Sequence, residues 1–360
     1  MQKLNISHEY EYDLWNEGVY DRQGLDIAWI CACLNPLRYS TERKMNLFQK
    51  NFKLSPFHIL YYHLADQCRS FFEGIINTKK LALHDPKVTD LLESPVSFSG
   101  NWNDFCRIVN NHGVVPLHAM LGGEIHAHRT DVLTVLSSCL AYNAKCLRDC
   151  PDSENSLALK SATESVNAIL TDFFGVPPET FNWSFKTADG KDISLKNITP
   201  ADFYKNCCGF DVNECAVVYD EAVKGHISEN GNVFVSASRL AELAAENISQ
   251  YNRLTVVGAD TRHQANRLLG ILDTDFNDNT SEFGSDVSMT KKDSFDYKRI
   301  SVTDYLTLDG VQPGNTVPVR FKAQDSCGAD TGADGHYTMN YDWFCKYVLF
   351  VVVDKKALTD

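Results

Sequence analysis

Between Leu25 and Leu37 the apolar residues Ile27, Trp29, Ile30, Leu34 and Leu37 recur at a spacing that predicts a buried helix. A second helix is expected from Ser55-Pro56, where proline takes a first-turn position and Phe57, Leu60, Tyr61 and Leu64 share a face. Trp102–Asn111 reads as a third, closed by His112-Gly113, and residues 128–174 read as helical with a break at Pro151-Asp-Ser153. After Gly175-Val-Pro-Pro the period falls to two. Phe181, Trp183 and Phe185 alternate with polar residues, Ala188-Asp-Gly190 offers a turn, and Asp192–Leu195 resumes the pattern, which predicts a hairpin. Thr199-Pro200 opens a short helix to Tyr204. Strands are expected at Leu254–Val257, Asp304–Val311, Val317–Ala323, His336–Met339 and Tyr347–Val353. Helices first and strands later point to an α+β architecture. No internal repeat is visible.

Composition narrows the function classes. At 44% hydrophobic and 22% charged residues, the chain has the make-up of a soluble globular protein. A net charge of −13 works against nucleic-acid binding, and the basic runs Lys79-Lys80 and Lys291-Lys292 are too short to reverse that. The N-terminal residues lack an apolar stretch of the secretory kind, so no signal is expected. The longest apolar run, Tyr347–Val353, is strand-sized rather than membrane-spanning. The twelve cysteines are therefore expected as reduced thiols in the cytoplasm.

Metal chemistry is not expected either. Cys31-x-Cys33, Cys146-x3-Cys150 and Cys207-Cys208 lack zinc-site spacing and read as small buried hydrophobes. His126-x-His128 reads as a surface pair. Asp273-Thr-Asp275-Phe-Asn277 begins like a calcium loop, but Asp278 stands where that loop needs glycine and Gly284 where it needs glutamate. It reads as a turn, and no cofactor is expected.

Several blocks stand out in order along the chain: Ala28-Trp-Ile-Cys-Ala-Cys-Leu-Asn35, Phe52–Tyr62, Gly100–Phe105 with Gly113-Val-Val-Pro116, Gly175–Phe181, Gly270–Asp275, Tyr341–Phe344 and Val351–Lys356. Together they resemble the bleomycin hydrolase/aminopeptidase C family of papain-like cysteine peptidases. The resemblance implies a papain-like cysteine peptidase fold, with a helical N-terminal half around a buried central helix and a β-rich C-terminal half. It divides a single unit of residues 1–360 into a helical part (20–125), a helical and hairpin insertion (126–215) and a β-rich part (216–360).

The same resemblance implies a damaged site. Anchored on Trp29, the family's nucleophilic cysteine falls on Ala28, and its oxyanion-hole glutamine on Arg22, with Gln23 one place away. The family's histidine block aligns with Val302-Thr303-Asp304-Tyr305 and places Asp304 at the histidine. Its asparagine block aligns with Gln324-Asp325-Ser326-Cys327-Gly328, placing Asp325 at the asparagine and Cys327 at the shielding tryptophan. Cys31 lies a turn deeper in the helix and reads as packing. A thiol peptidase needs a thiolate, an imidazole and a group that orients the imidazole, and none is left. The family's C-terminal arm, which enters the cleft, is also expected to be missing.

Arg22, Asp304 and Asp325 are thus expected to converge, most simply as an ion-pair cluster in which Arg22 neutralises both carboxylates. The expected function is that of a pseudopeptidase. It would serve as a scaffold or regulator through self-association or assembly with an active paralogue, since family members form hexameric rings. A vestigial cleft around Arg22, Gln23, Ala28, Trp29, Asp304 and Asp325 would suit a peptide or small-molecule ligand. The enzymatic alternative is hydrolysis with altered chemistry, in which Asp304 and Asp325 share a proton.

Overall fold

The computed structural model describes residues 7–15, 17–48, 51–123, 125, 131–275 and 289–359. The pair His126-x-His128, most of the calcium-like stretch after Asp275, and Asp360 lie outside the described residues.

The first half is built on helix α1 (Ala28–Lys44), which runs about two turns beyond the expected end. Pro36 sits inside it and has no N–H for the Ala32 carbonyl. Thr307 repairs this loss: its hydroxyl donates to the Ala32 carbonyl at 3.2 Å and accepts from Asn35 Nδ2 at 3.0 Å. Helices α2 (Pro56–Asn77), α3 (Pro86–Glu93) and α4 (Trp102–His112) follow. Ser55 caps α2 through the His58 N–H, and an Asn101/Asp104 capping box starts α4. Helices α5 (Asp131–Asp149) and α6 (Asn155–Phe174) flank the expected break at Pro151.

Strand β1 (Tyr12–Asp13) precedes these helices. The hairpin β2 (Phe181–Lys186) and β3 (Asp192–Ile198) follows them, with Phe181, Trp183 and Phe185 buried. Helix α7 (Pro200–Cys207), strands β4 (Cys215–Asp220) and β5 (Val233–Val235), and helix α8 (Ala237–Ser249) come next. β4, β5 and α8 go beyond the elements read from sequence. The signal for α8 was present: Ser236 caps it, and Leu240, Ala241, Ala244 and Ile248 form its buried face.

The remaining strands are β6 (Thr255–Ala259), β7 (Ala265–Asn266), β8 (Ile271–Leu272), β9 (Asp304–Gln312), β10 (Arg320–Gln324), β11 (His336–Asn340) and β12 (Val348–Asp354). Helices α9 (Lys291–Asp296) and α10 (Tyr341–Tyr347) lie among them. β10 begins at Arg320, not Val317, because Pro318 offers no ladder donor. One sheet takes the order β5-β4-β12-β6-β9-β10-β11-β8-β7, with β1 on β9.

Two cores result. Phe350 and Val352 on one face of the sheet join α1, α2 and α4, while Val351 and Val353 on the other face join α8 and α10. Strand β9 therefore lies against α1, which brings the start of that strand to the region around Arg22.

Candidate functional site

Ala28 is the first residue of α1 and is 3% exposed. Its neighbour Trp29 is fixed from two sides. Its Nε1 donates to the Phe98 carbonyl at 2.7 Å, and its ring fills the space over Gly100, where a Cβ would stand 2.5 Å away. The Tyr305 hydroxyl reaches the Gly100 carbonyl at 3.1 Å, tying β9 to the loop before α4. At these positions the local chain is rigid and apolar.

The polar part of the site comes from separate segments of the chain. Residues 21–22 are held to the loop after β10: the Arg22 N–H donates to the Ser326 carbonyl at 2.9 Å, and Asp21 forms a bridge with Cys327. Asp325 follows β10 directly, and its N–H donates to the Gly335 carbonyl at 3.0 Å. Asp304 opens β9. These contacts bring Arg22, Asp304 and Cys327 together, with Arg22 Nη2 3.5 Å from both Asp304 Oδ2 and Cys327 Sγ. Gln23 is an exposed turn residue with a left-handed backbone (φ 51).

Arg267 is the residue that the sequence reading misses. It donates through Nη2 to Asp304 Oδ2 at 2.9 Å and to Thr261 Oγ1 at 2.6 Å, and through Nη1 to Asp325 Oδ2 at 3.4 Å. It thus spans both carboxylates, whereas Arg22 makes a direct contact only with Asp304. The expectation that Arg22 alone neutralises the pair is corrected here. The turn that presents Arg267 depends on close backbone approach: the Gly332 N–H donates to the Arg267 carbonyl at 2.9 Å, and a Cβ on Gly270 (φ 68) would come 2.7 Å from Gly332.

The carboxylates accept further donors. Tyr337 donates its hydroxyl to Asp325 Oδ2 at 2.8 Å, and the Ser326 N–H reaches Asp325 Oδ1 at 2.6 Å. The Tyr305 N–H donates to Asp304 Oδ1 at 3.1 Å. The Asp304 side chain is 1% exposed and that of Asp325 0%. Burial first, and then the charge of Asp325, push the Asp304 carboxyl above its ordinary value, while Arg22 and Arg267 pull it back. Burial opposes both arginine cations, yet the aspartates outweigh it and hold each above the ordinary arginine value. Two arginines facing two aspartates make a balanced, hydrogen-bonded set.

Neither carboxylate opens onto space. The groove beside the cluster, about 410 Å³, is lined by Asp21, Arg22, Leu25, Asp26, Thr303 and Cys327 among others, without Ala28, Asp304 or Asp325. The two thiols nearest the cluster are both raised above the ordinary thiol value. Cys31 is 1% exposed, and burial pushes it up to about 12. Burial and then Asp325 also raise Cys327. All twelve cysteines are free thiols. Among the described residues no group of three His, Cys, Asp or Glu is placed to hold a metal ion, and no helix is long and apolar enough to cross a membrane.

The sequence profile of the Peptidase C1-like family matches residues 2–360. The chain is 23% identical to aminopeptidase C of Lactobacillus delbrueckii subsp. lactis, over 99% of this chain and 84% of that protein. It is 25% identical to aminopeptidase C of Listeria monocytogenes, over 99% and 84%, and 26% identical to aminopeptidase E of Lactobacillus helveticus, over 99% and 85%. Among solved structures it superposes on PepW of Lactobacillus rhamnosis with a TM-score of 0.90 at 22% identity, covering 98% of this chain and 83% of that one. That likeness shows the fold, which is the expected papain-like one.

Proposed function

The chain belongs to the Peptidase C1-like family, and from that premise we propose that it is a pseudopeptidase of the bleomycin hydrolase/aminopeptidase C type. In this reading it acts in the cytoplasm as a scaffold or regulatory protein, assembling with itself or with an active relative. One observation carries the reading: the carboxylates at the expected histidine and asparagine positions are 1% and 0% exposed and tied together by Arg267. Ala28 supplies no nucleophile, and an aspartate does not do the double work of an imidazole as base and then acid. Altered hydrolysis through a proton-sharing Asp304/Asp325 pair is disfavoured, because Arg267 donates to both carboxylates, Arg22 pairs with Asp304, and the two side chains are 1% and 0% exposed, away from the space a substrate would enter.

The test is an aminopeptidase assay on aminoacyl amides with the purified chain, before and after treatment with iodoacetamide. The expected result is no turnover above the blank in either sample. Turnover that survives alkylation and disappears in Asp304→Asn would establish the altered hydrolase instead. Light scattering on a sizing column tests the assembly half: a species well above 40.5 kDa is expected. A monomer that retains no active relative in co-purification overturns it.

A second reading is supported by the groove of about 410 Å³, where Arg22 faces the same space as Asp21 and Asp26. Charges of both signs on one groove suit a peptide or another zwitterion. A thermal-shift screen of short peptides that gives no stabilisation would remove this reading, since a ligand of the native state must stabilise it.

A further inference from the structure

Helix α1 ends, at the opposite end from Ala28, in a second groove of about 490 Å³. At 1.5 Å per residue its helical lining, Pro36 to Lys44, lies about 12–24 Å along the helix from the former nucleophile position. Its lining is unusual for a chain of net charge −13: Arg43, Lys44 and Arg253 contribute to it, and among the described residues no aspartate or glutamate does. The floor is apolar, formed by Tyr39 (6% exposed), Phe210 (8%) and Leu254 (3%).

The three cations are not equivalent. Arg253 is committed to Glu214 at 2.7 Å and Asp354 at 3.0 Å, and it lies 5.2 Å over the Phe210 ring, so it shapes the floor. Arg43 and Lys44 are exposed, and their partners are neutral: the Tyr39 hydroxyl for Arg43, and the Cys208 carbonyl at 3.2 Å for Lys44. Their positive charges are left uncompensated by any carboxylate lining the groove. The Tyr39 hydroxyl donates to Asn252 Oδ1 at 3.0 Å, so the Asn252 amide is held by its oxygen and keeps its nitrogen as a donor. Basic residues in a last helical turn also offset the helix dipole, but that role needs neither a groove nor an aromatic floor.

We infer that this groove is a binding site for a small anion carrying a flat apolar group, an aryl phosphate or aryl carboxylate. The ring rests on Phe210 and Leu254, and the anionic head takes charge-assisted hydrogen bonds from Arg43 and Lys44. The site is separate from the former peptidase centre, and its failure leaves the pseudopeptidase reading untouched.

Calorimetric titration of the full chain tests it with four probes: phenyl phosphate, benzoate, inorganic phosphate and benzyl alcohol. Phenyl phosphate or benzoate is expected to bind once per chain, more weakly as salt is raised, and the tighter of the two identifies the head group. Inorganic phosphate alone should bind about tenfold more weakly, and benzyl alcohol not measurably. The double variant Arg43→Gln/Lys44→Gln changes only exposed side chains and should lower the affinity for the aryl anion at least about tenfold. Failure of both aryl anions to bind overturns the inference. So does unchanged affinity in the double variant, and inorganic phosphate binding as tightly as phenyl phosphate would overturn the aromatic half.

Discussion

Strand β9 carries two buried carboxylates, Asp304 at its start and Asp309 past its middle, and their surroundings differ sharply. Asp304 receives Arg267, Arg22 and the Tyr305 N–H, and Arg267 carries the set on to Asp325. Asp309 sits at a slip in register: Lys322 pairs with Gly310 and Ala323 with Leu308, so Asp309 is the extra residue of a bulge. Its side chain is 0% exposed, with His336 Nε2 at 3.3 Å and Lys322 Nζ at 3.9 Å, yet among the described residues neither carboxylate oxygen has a donor in well-aligned hydrogen-bonding geometry. Burial above all raises the Asp309 carboxyl, His336 and Lys322 lower it, and Asp13 adds to the rise. Where the family resemblance places catalytic groups, the charges are matched donor for acceptor. The incompletely satisfied carboxylate lies elsewhere on the same strand. Matching of this kind turns a pair of acids into a structural lock, while a poor match leaves a group whose charge costs stability.

The sharpest way to break this contrast is Arg267→Leu, which strips Asp304 and Asp325 of their shared partner. Breaking a buried pair costs about 3–5 kcal/mol, and the 38% exposure of the Arg267 side chain reduces this to about 2–3 kcal/mol. Urea unfolding at neutral pH should show that loss, and adding Asp304→Asn and Asp325→Asn should recover much of it. The loss should shrink as pH falls, because the raised Asp304 carboxyl takes up its proton and no longer needs the arginine. A midpoint unchanged at pH 7 would mean that Arg267 does not hold the pair.

Asp309→Asn probes the other carboxylate and should move stability the opposite way. A carboxyl raised in the folded state binds its proton more tightly there than in the unfolded chain. Its contribution is therefore most favourable below the unfolded value of about 3.9 and is lost as pH rises through the folded value. The variant should match the wild type near pH 3.5 and exceed it by about 1 kcal/mol at pH 7. Parallel pH–stability curves for the two proteins would show that Asp309 is adequately paired after all.

Arg22→Gln, which installs the residue the resemblance expects, should have the smallest effect, about 0.5–1 kcal/mol in chemical denaturation. Asp304 keeps Arg267 and the Tyr305 N–H in that variant. A loss as large as that of Arg267→Leu would put the weight of the lock on Arg22.

Sequence by itself determined the elements whose signals are local. The Pro56 start of α2, the Trp102–His112 helix closed by Gly113, the Phe181/Trp183/Phe185 alternation and the five strands of the C-terminal part all appear within a few residues of where their patterns place them. The resemblance also placed Arg22 and Asp304 within reach of each other, as the structure has them. Tertiary structure alone decided the rest. Arg267 and Asp304 stand 37 positions apart in the chain, and Arg267 and Asp325 stand 58 apart. No period or spacing links them; the sheet register and the tight approach at Gly270 do. The bulge at Asp309 is equally invisible in a run that reads as an unbroken strand. Helical and strand periods act between residues a few places apart, so they are written along the chain. Desolvation and ion pairing act through space over a few ångströms, and the folded backbone settles which charges meet.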